Sequence, residues 1–196
     1  MLHELLAPYQ IILASKSPRR KELLESIDLK VKVREVSVIE EFPKHLSPAE
    51  VALYLAALKA TACPPPQKNE IWITSDTVVA FGNKILGKPR DRNEALLMLR
   101  SLSENKHEVI TAVCIQSALG KRTFYERTRV TFRKLTAEEL DYYIDTYKPF
   151  DKAGAYGIQD WIGRIAITRI KGCYYNVMGL PLARFYDELS ALVKGN

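Results

Sequence analysis

Residues 11–27 of the chain read "IILASKSPRRKELLESI", and they join a predicted strand to a predicted helix. The apolar run 11–14 is typical of a short buried strand. Pro18 suits the first position of a helix, and Leu23 and Ile27 then follow at helical spacing. A strand that passes directly into a helix is a building unit of α/β folds, so this stretch favours an α/β architecture.

The turn within this stretch concentrates hydroxyl groups and positive charges. It contains Ser15, Lys16, Ser17, Arg19 and Arg20. The free N–H groups and the dipole of a helix start attract anions, and arginine can bind phosphate oxygens in a bidentate way. Such a turn lies at the carboxyl edge of a sheet, where α/β proteins bind ligands. The turn therefore predicts a phosphate site, although a serine cap beside two solvated arginines fits the same residues. It is not a P-loop, because the spacing G-x-x-x-x-G-K-[ST] is absent.

Hydrophobic periodicity and capping residues predict the other elements of one domain, residues 1–196, in which residues 1–10 form an N-terminal extension. Further strands are predicted at 29–38, 71–81, 107–117, 122–133, 163–170 and 173–177, with an interruption at Ser75 and Asp76. Further helices are predicted at 48–63, 91–102 and 136–147, and from 182 onward. The alternation of strands and helices indicates an α/β fold with mixed strand order.

Composition excludes several classes of protein. The chain has 47% hydrophobic and 27% charged residues, and no stretch approaches the ~20 apolar residues of a membrane span. The first ten residues lack the basic start of a signal peptide, so we expect a cytoplasmic protein with no membrane partner. The three cysteines are far apart and odd in number, which favours reduced thiols, and the three histidines show no metal-ligand spacing.

The net charge of +6 suggests a polyanionic partner, either a nucleic acid or a phosphorylated small molecule. The basic residues are mostly interspersed with acidic ones, and aromatic residues do not alternate with them as they do in base-stacking sheets. We therefore expect no stable nucleic-acid complex.

Asp76 is the strongest candidate for chemistry, because a carboxylate within an apolar strand is costly to bury unless it is paired or binds a cation. Glu40 and Glu41 follow another predicted strand and could supply partner carboxylates for a hard metal such as Mg²⁺. A carboxylate and a metal beside a phosphate site suggest hydrolysis at phosphorus. The alternative is a turn aspartate beside a solvated glutamate pair.

Two lysines and a glycine-rich loop complete the candidate set. Lys59 lies late in an apolar helix and Lys88 follows a predicted strand; each could contact a triphosphate or be a surface lysine. The loop 151–160, "DKAGAYGIQD", has small residues that let the backbone approach a ligand. Within it, the amide of Gln159 could discriminate nucleobases, since it can donate to one group and accept from another.

Together these segments resemble the Maf family of nucleoside triphosphate pyrophosphatases over about residues 11–189. The motifs occur in the family's order: "LASKSPRR", "EE" at 40–41, "SDT" at 75–77, "GKPRD", "DKAGAYGIQ" and "YYNVMGLP". The resemblance implies an elongated mixed β-sheet flanked by helices, with two lobes around a central cleft, as in the Maf and ITP pyrophosphatase-like folds. It also implies that the chain can form a homodimer.

The resemblance further implies hydrolysis of a nucleoside triphosphate to the monophosphate and pyrophosphate, with Mg²⁺ or Mn²⁺ as cofactor. The loop "AGAYGIQ" is similar to the branch that acts on dTTP and UTP, and modified pyrimidine nucleotides remain open. By motif, Asp76 is the proton acceptor and, with Glu40, a metal ligand. Substrate choice is assigned to Arg19, Thr77 and Gln159, and phosphate binding to Ser15, Ser17, Arg20, Lys59 and Lys88. The alternatives are a pyrophosphatase acting on 7-methyl-GTP or ITP/XTP, and a non-enzymatic regulator of septum formation and cell division.

Overall fold

A computed structural model describes residues 2–195, which form a mixture of strands and helices. The strands are β1 (Gln10–Leu13), β2 (Val31–Val33), β3 (Glu70–Phe81), β4 (Lys84–Leu86), β5 (Lys106–Ser117), β6 (Gly120–Phe132) and β7 (Ile167–Lys171). The helices are α1 (Leu2–Leu6), α2 (Pro18–Glu25), α3 (Pro48–Thr61), α4 (Arg92–Leu102), α5 (Ala137–Tyr147), α6 (Trp161–Ala166), α7 (Tyr174–Met178) and α8 (Leu182–Lys194), with a short 3₁₀ turn at Ala153–Ala155. Within the described residues no helix is long and apolar enough to cross a membrane.

The strands form one mixed sheet in the order β2-β1-β3-β5-β6-β7, and β4 pairs with β3. β1 runs parallel to β2 and β3, whereas the other pairs are antiparallel. Along one edge of β3, residues 70–73 pair with β1 and residues 79–81 pair with β4. Residues 74–78 therefore have no strand partner on that edge, and the sheet opens there.

Apolar cores lie on either side of this opening. The core of the first lobe packs α1, α2 and α8 around β1 and the first half of β3, with Leu13, Leu24 and Phe185 fully buried. The core of the second lobe packs α4, α5 and α6 around the start of β5 and the end of β6, with Leu99 and Ile162 fully buried. The expected α/β fold with a mixed sheet and two lobes is thus confirmed, whereas the single-domain interpretation stays a prediction.

The N-terminal extension contains helix α1, whose Leu2 and Leu6 are buried in the same core as α8. These two leucines stand four residues apart, so they share one face of the helix. The burial of that face makes the extension part of the first lobe. Met1 lies outside the described residues.

Three details of the sequence prediction were wrong. The strand predicted at 29–38 pairs only over Val31–Val33, because β2 is an edge strand and the chain then leaves the sheet toward the cleft. Ser75 and Asp76 do not interrupt β3, because both pair with β5. The strand predicted at 163–170 is confirmed only over 167–170, which lie in β7, because 163–166 belong to α6. Helix α7 replaces the strand predicted at 173–177.

The last error has a tertiary cause. Runs of Ile, Val and Tyr have high strand propensity, but that propensity yields to packing. In α6 one helical turn buries Ile162 and Ala166 in the core of the second lobe. In α7 the side chain of the fully buried Asn176 forms hydrogen bonds with the backbone of β5, which hold the helix against the sheet.

Candidate active site

The opening beside β3 forms a cleft of about 700 Å³ between the two lobes. Side chains from both lobes line it, and among them are all ten residues assigned to the site from the sequence. These are Ser15, Ser17, Arg19, Arg20, Glu40, Lys59, Asp76, Thr77, Lys88 and Gln159. Segments that are up to 144 residues apart in sequence, from Ser15 to Gln159, therefore meet in one place.

Arg20 ties together three segments at the floor of the cleft. Its Nε donates to the carbonyl oxygen of Gly179 at 3.0 Å, its Nη1 to Ser15 Oγ at 3.1 Å, and its Nη2 to Thr77 Oγ1 at 3.1 Å. Burial lowers the pKa of the Arg20 guanidinium, an effect that the charge of Asp76 opposes. Arginine stays protonated under such shifts, so Arg20 is a fixed positive charge at this site.

The end of α7 supplies one of these contacts through Gly179. This residue has a φ of +118°, a left-handed conformation that favours glycine at the end of a helix. Its carbonyl oxygen accepts from Arg20 and also from Ser75 Oγ at 3.4 Å. The motif "YYNVMGLP" thus contributes to the cleft through its backbone.

The turn between β1 and α2 keeps donors available for an anion. Ser15 Oγ accepts from the Ser17 N–H at 3.2 Å and from Arg20 Nη1, which leaves its own proton to donate. Ser17 is the N-cap of α2, yet its side chain makes no capping hydrogen bond. The first N–H groups of α2 are therefore not satisfied by Ser17, as in the anion sites found at helix starts.

Two carboxylates face one ammonium group beside this turn. Lys59 Nζ lies 2.5 Å from Asp76 Oδ1 and 2.8 Å from Glu40 Oε1. Burial raises the pKa of Asp76 above its ordinary value of 3.8, although the charge of Lys59 opposes this shift. Burial acts to raise the pKa of Glu40, but the hydrogen bond and charge of Lys59, together with the charges of Lys88 and Arg20, outweigh it, so the pKa of Glu40 is lowered. Asp76 is thus the carboxylate whose proton affinity has been shifted toward neutral pH.

The donor set at this point suits a cation that arrives with a phosphate ligand. No group of three or more His, Cys, Asp or Glu side chains within residues 2–195 could hold a metal ion alone. Mg²⁺ commonly binds one or two protein carboxylates and completes its shell with phosphate oxygens and waters. The oxygens of Glu40 and Asp76 converge on one positive group, so they fit such a shared ion.

The wall of the cleft that faces the turn between β1 and α2 belongs to the second lobe. Arg19 Nη1 on α2 contacts Asp151 Oδ2 at 3.1 Å across the mouth of the cleft, and Lys152 Nζ lies 2.8 Å from Asp151 Oδ1. The Gly154 N–H donates to the Gly87 carbonyl at 3.0 Å, which ties this loop to the segment that carries Lys88. Gln159 lines the same wall. The glycine-rich loop therefore faces the cationic turn.

Comparisons with known proteins identify the family of the chain. The sequence profile described as Maf-like protein matches residues 10–192. The chain belongs to the Maf family. A dTTP/UTP pyrophosphatase from Flavobacterium johnsoniae is 47% identical over 98% of this chain and 100% of its own. Another, from Porphyromonas gingivalis, is 48% identical over 97% of this chain and 98% of its own. A solved HAM1 protein from Coxiella burnetii matches with 15% identity and a TM-score of 0.42 over 63% of this chain and 73% of its own.

Sequence reasoning missed several residues at this Maf-family site. Asp151 and Lys152 belong to the quoted glycine-rich loop, and an acid next to a base beside small residues could have singled them out. Thr111 sits in the middle of β5 and bonds Thr77 at 3.0 Å, but a threonine in a strand carries no such signal. Glu41, offered as a second carboxylate, is exposed.

Proposed function

We propose that this Maf-family chain is a nucleoside triphosphate pyrophosphatase that converts dTTP and UTP to the monophosphate and pyrophosphate. The observation that carries the proposal is the position of Asp76, a buried carboxyl with a raised pKa in the cleft between a cationic turn and a glycine-rich loop. Relatives that are 45–49% identical over nearly the whole chain bear the name dTTP/UTP pyrophosphatase, which supports the same function.

The phosphate chain of the substrate would lie on the cationic turn. Ser15 and the first N–H groups of α2 offer donors, and Arg19 and Arg20 offer positive charge. Lys59 and Lys88 would contact the remaining phosphate oxygens as point charges. Fixed charges of this kind stabilise a phosphoryl-transfer transition state, because they meet the developing negative charge without reorganising.

In the reaction a water molecule would attack the α-phosphorus, and its proton would pass to Asp76. The bond between the α-phosphorus and the bridging oxygen breaks, and pyrophosphate leaves with the electron pair. A raised pKa suits a general base, because such a group holds an abstracted proton more readily than an ordinary aspartate does. A bound Mg²⁺ or Mn²⁺ on Glu40 and Asp76 would neutralise phosphate charge.

Substrate choice would rest on Arg19, Thr77 and Gln159, which line the cleft on both walls. An amide can donate to one edge group of a base and accept from another. We expect Gln159→Ala to reduce the preference for UTP and dTTP over other nucleotides while hydrolysis continues. Unchanged selectivity in kcat/KM would place base recognition elsewhere.

The test is pyrophosphate release from dTTP, UTP, CTP, GTP, 7-methyl-GTP and ITP, with Mg²⁺ or Mn²⁺ and with chelator. We expect metal-dependent release from dTTP and UTP, and a loss of at least ~100-fold in Asp76→Asn, the scale of general-base catalysis. Circular dichroism would check that this variant is folded. Activity confined to 7-methyl-GTP or ITP would keep the mechanism and change the substrate. No release from any nucleotide by folded wild type would favour the regulatory alternative.

We also propose a homodimer and a divalent-metal requirement, both of which the family implies. Light scattering on the purified chain would measure its mass against the 22.3 kDa of one copy. A mass of one copy at micromolar concentration would contradict the dimer.

A further inference from the structure

A chain of hydrogen bonds leads from the cleft into the sheet through the hydroxyl of Thr77. Thr77 Oγ1 accepts from Arg20 Nη2 at 3.1 Å and lies 3.0 Å from Thr111 Oγ1. Thr111 Oγ1 in turn lies 2.8 Å from the carbonyl oxygen of Asn176. Thr77 lines the cleft, whereas Thr111 and Asn176 are fully buried.

The direction of this chain follows from its two ends. A guanidinium has no acceptor, so Arg20 must donate to Thr77. A carbonyl has no proton, so Thr111 must donate to Asn176. Each hydroxyl has one proton, and that of Thr111 is now used. The contact between the threonines can therefore be a hydrogen bond only if Thr77 donates to Thr111.

Asn176 holds the far end of the chain rigidly. Its Oδ1 accepts from the Thr111 N–H at 3.2 Å, and its Nδ2 donates to the Val109 carbonyl at 2.9 Å and to Thr128 Oγ1 at 3.0 Å. Thr128 Oγ1 donates its own proton to the Cys173 carbonyl at 2.9 Å. Because Thr111, Thr128 and Asn176 are all fully buried, no solvent reaches this network to reverse it.

The proton of Thr77 is thus committed to the interior, and one of the two lone pairs of Thr77 Oγ1 accepts from Arg20, so a ligand in the cleft can meet only the remaining lone pair. Uracil and thymine carry a proton on N3, whereas N3 of cytosine is a bare acceptor. A donor facing Thr77 would be paired, and an acceptor would be left unpaired at a site built for a donor. Sites of this kind reject the mismatched ligand strongly, because the unpaired polar groups lose their hydrogen bonds.

We infer that Thr111 is a positioning residue that orients the Thr77 hydroxyl as an acceptor, and that this orientation selects bases with an N3–H over cytosine. The inference rests on the proposed function and adds a residue that never reaches the substrate. It assigns the discrimination between UTP and CTP to the direction of a buried hydrogen-bond chain.

The test compares kcat/KM for UTP and CTP in wild type, Thr111→Val and Thr128→Val. Thr111→Val removes the acceptor for the Thr77 proton, which can then turn toward the cleft and donate to cytosine N3. We expect the UTP-to-CTP ratio to fall at least ~10-fold in Thr111→Val, the equivalent of one hydrogen bond to a neutral group. Thr128→Val is the matched control: it removes a buried hydroxyl of the same network but leaves the Thr77 proton committed, so the ratio should stay within ~2-fold.

Four further results are decisive. Thr111→Ser keeps the hydroxyl and should keep the wild-type ratio. An active, folded Thr111→Val with an unchanged ratio would overturn the inference while the proposed function stands. If Thr111→Val does not fold, the deciding experiment is the turnover of N3-methyl-UTP by wild type. Equal kcat/KM for this nucleotide and UTP would overturn the inference, and a loss of at least ~100-fold in kcat/KM would support it. Wild type that releases no pyrophosphate from UTP, dTTP or CTP would overturn the proposed function itself.

Discussion

Two opposing effects act on the pKa of Asp76, and burial is the stronger of the two. Burial in the cleft raises the pKa of Asp76, and the ammonium of Lys59 opposes the shift. A general base works only when deprotonated, so kcat/KM for UTP should fall on the acid side as pH decreases through this raised pKa. We expect the acid limb of the pH profile to lie clearly above the ordinary aspartate value of 3.8.

Two neighbouring substitutions should move this limb in opposite directions. Lys59→Met removes a positive charge that lowers the pKa of Asp76, so the limb should move to higher pH. Glu40→Gln removes a negative charge that raises it, so the limb should move to lower pH. Both variants will lose activity, but the pH at which kcat/KM falls can be measured independently of the maximal kcat/KM. Shifts in the same direction would show that the limb belongs to another group.

At the level of elements, the loop 153–155 is fitted closely against β3. Gly154 has a φ of +69°, and a Cβ placed there would lie 2.9 Å from Val79 Cγ1. Gly82 also has a positive φ, +58°, but apart from Gly82 itself and its two chain neighbours no described residue has an atom within 4 Å of its Cβ position. The two glycines share a backbone conformation and differ in the space around them, so alanine substitutions separate strain from close packing.

We expect Gly82→Ala to lower the free energy of unfolding by about 1 kcal/mol, the cost of the left-handed conformation. Gly154→Ala should lower it by about 2–4 kcal/mol, because overpacking against Val79 adds to that cost. Since residues 153–155 belong to the glycine-rich loop 151–160, which also carries Gln159, KM for UTP should rise in Gly154→Ala alone. Urea titration and steady-state kinetics measure both effects. Equal losses in the two variants would mean that the loop can shift freely.

Elements whose signals are local were predictable from the sequence. The start of α3 is an example: Ser47 and Glu50 form a capping box, in which each side chain bonds the other's backbone over three residues. Helices α6 and α7 were not predictable, because they depend on burial of Ile162 and on hydrogen bonds between Asn176 and β5. The site divides in the same way. Motif residues could be found in sequence, but the pairing of Thr77 with Thr111, 34 residues apart, arises only when β3 and β5 align.

At the scale of the whole molecule, the second lobe buries a histidine that has to remain neutral. His107 is 2% exposed, its Nε2 lies 2.7 Å from the Tyr156 hydroxyl, and Phe132 packs edge-on against its ring. Its Nδ1 has no hydrogen-bond partner among the described residues, so a second ring proton would be unsatisfied. Burial lowers the pKa of His107 from 6.5 to about 4.

This shift makes stability depend on pH in a defined window. Between pH 6.5 and about 4 the unfolded chain protonates His107 and the folded protein does not, so the unfolded state binds more protons. Above pH 6.5 the neutral His107 costs no stability. As pH decreases from 6.5 to about 4, the free energy of unfolding should fall by up to about 1.4 kcal/mol per pH unit.

Urea titrations at several pH values measure this loss as the difference between wild type and His107→Gln, which cancels the carboxyl groups common to both. His45→Gln removes an exposed imidazole and is the matched control, so its stability should follow the wild-type curve. Parallel curves for wild type and His107→Gln across the window would mean that the folded lobe accepts the proton. Protonation of His107 would then not be a cause of the loss of stability at acid pH.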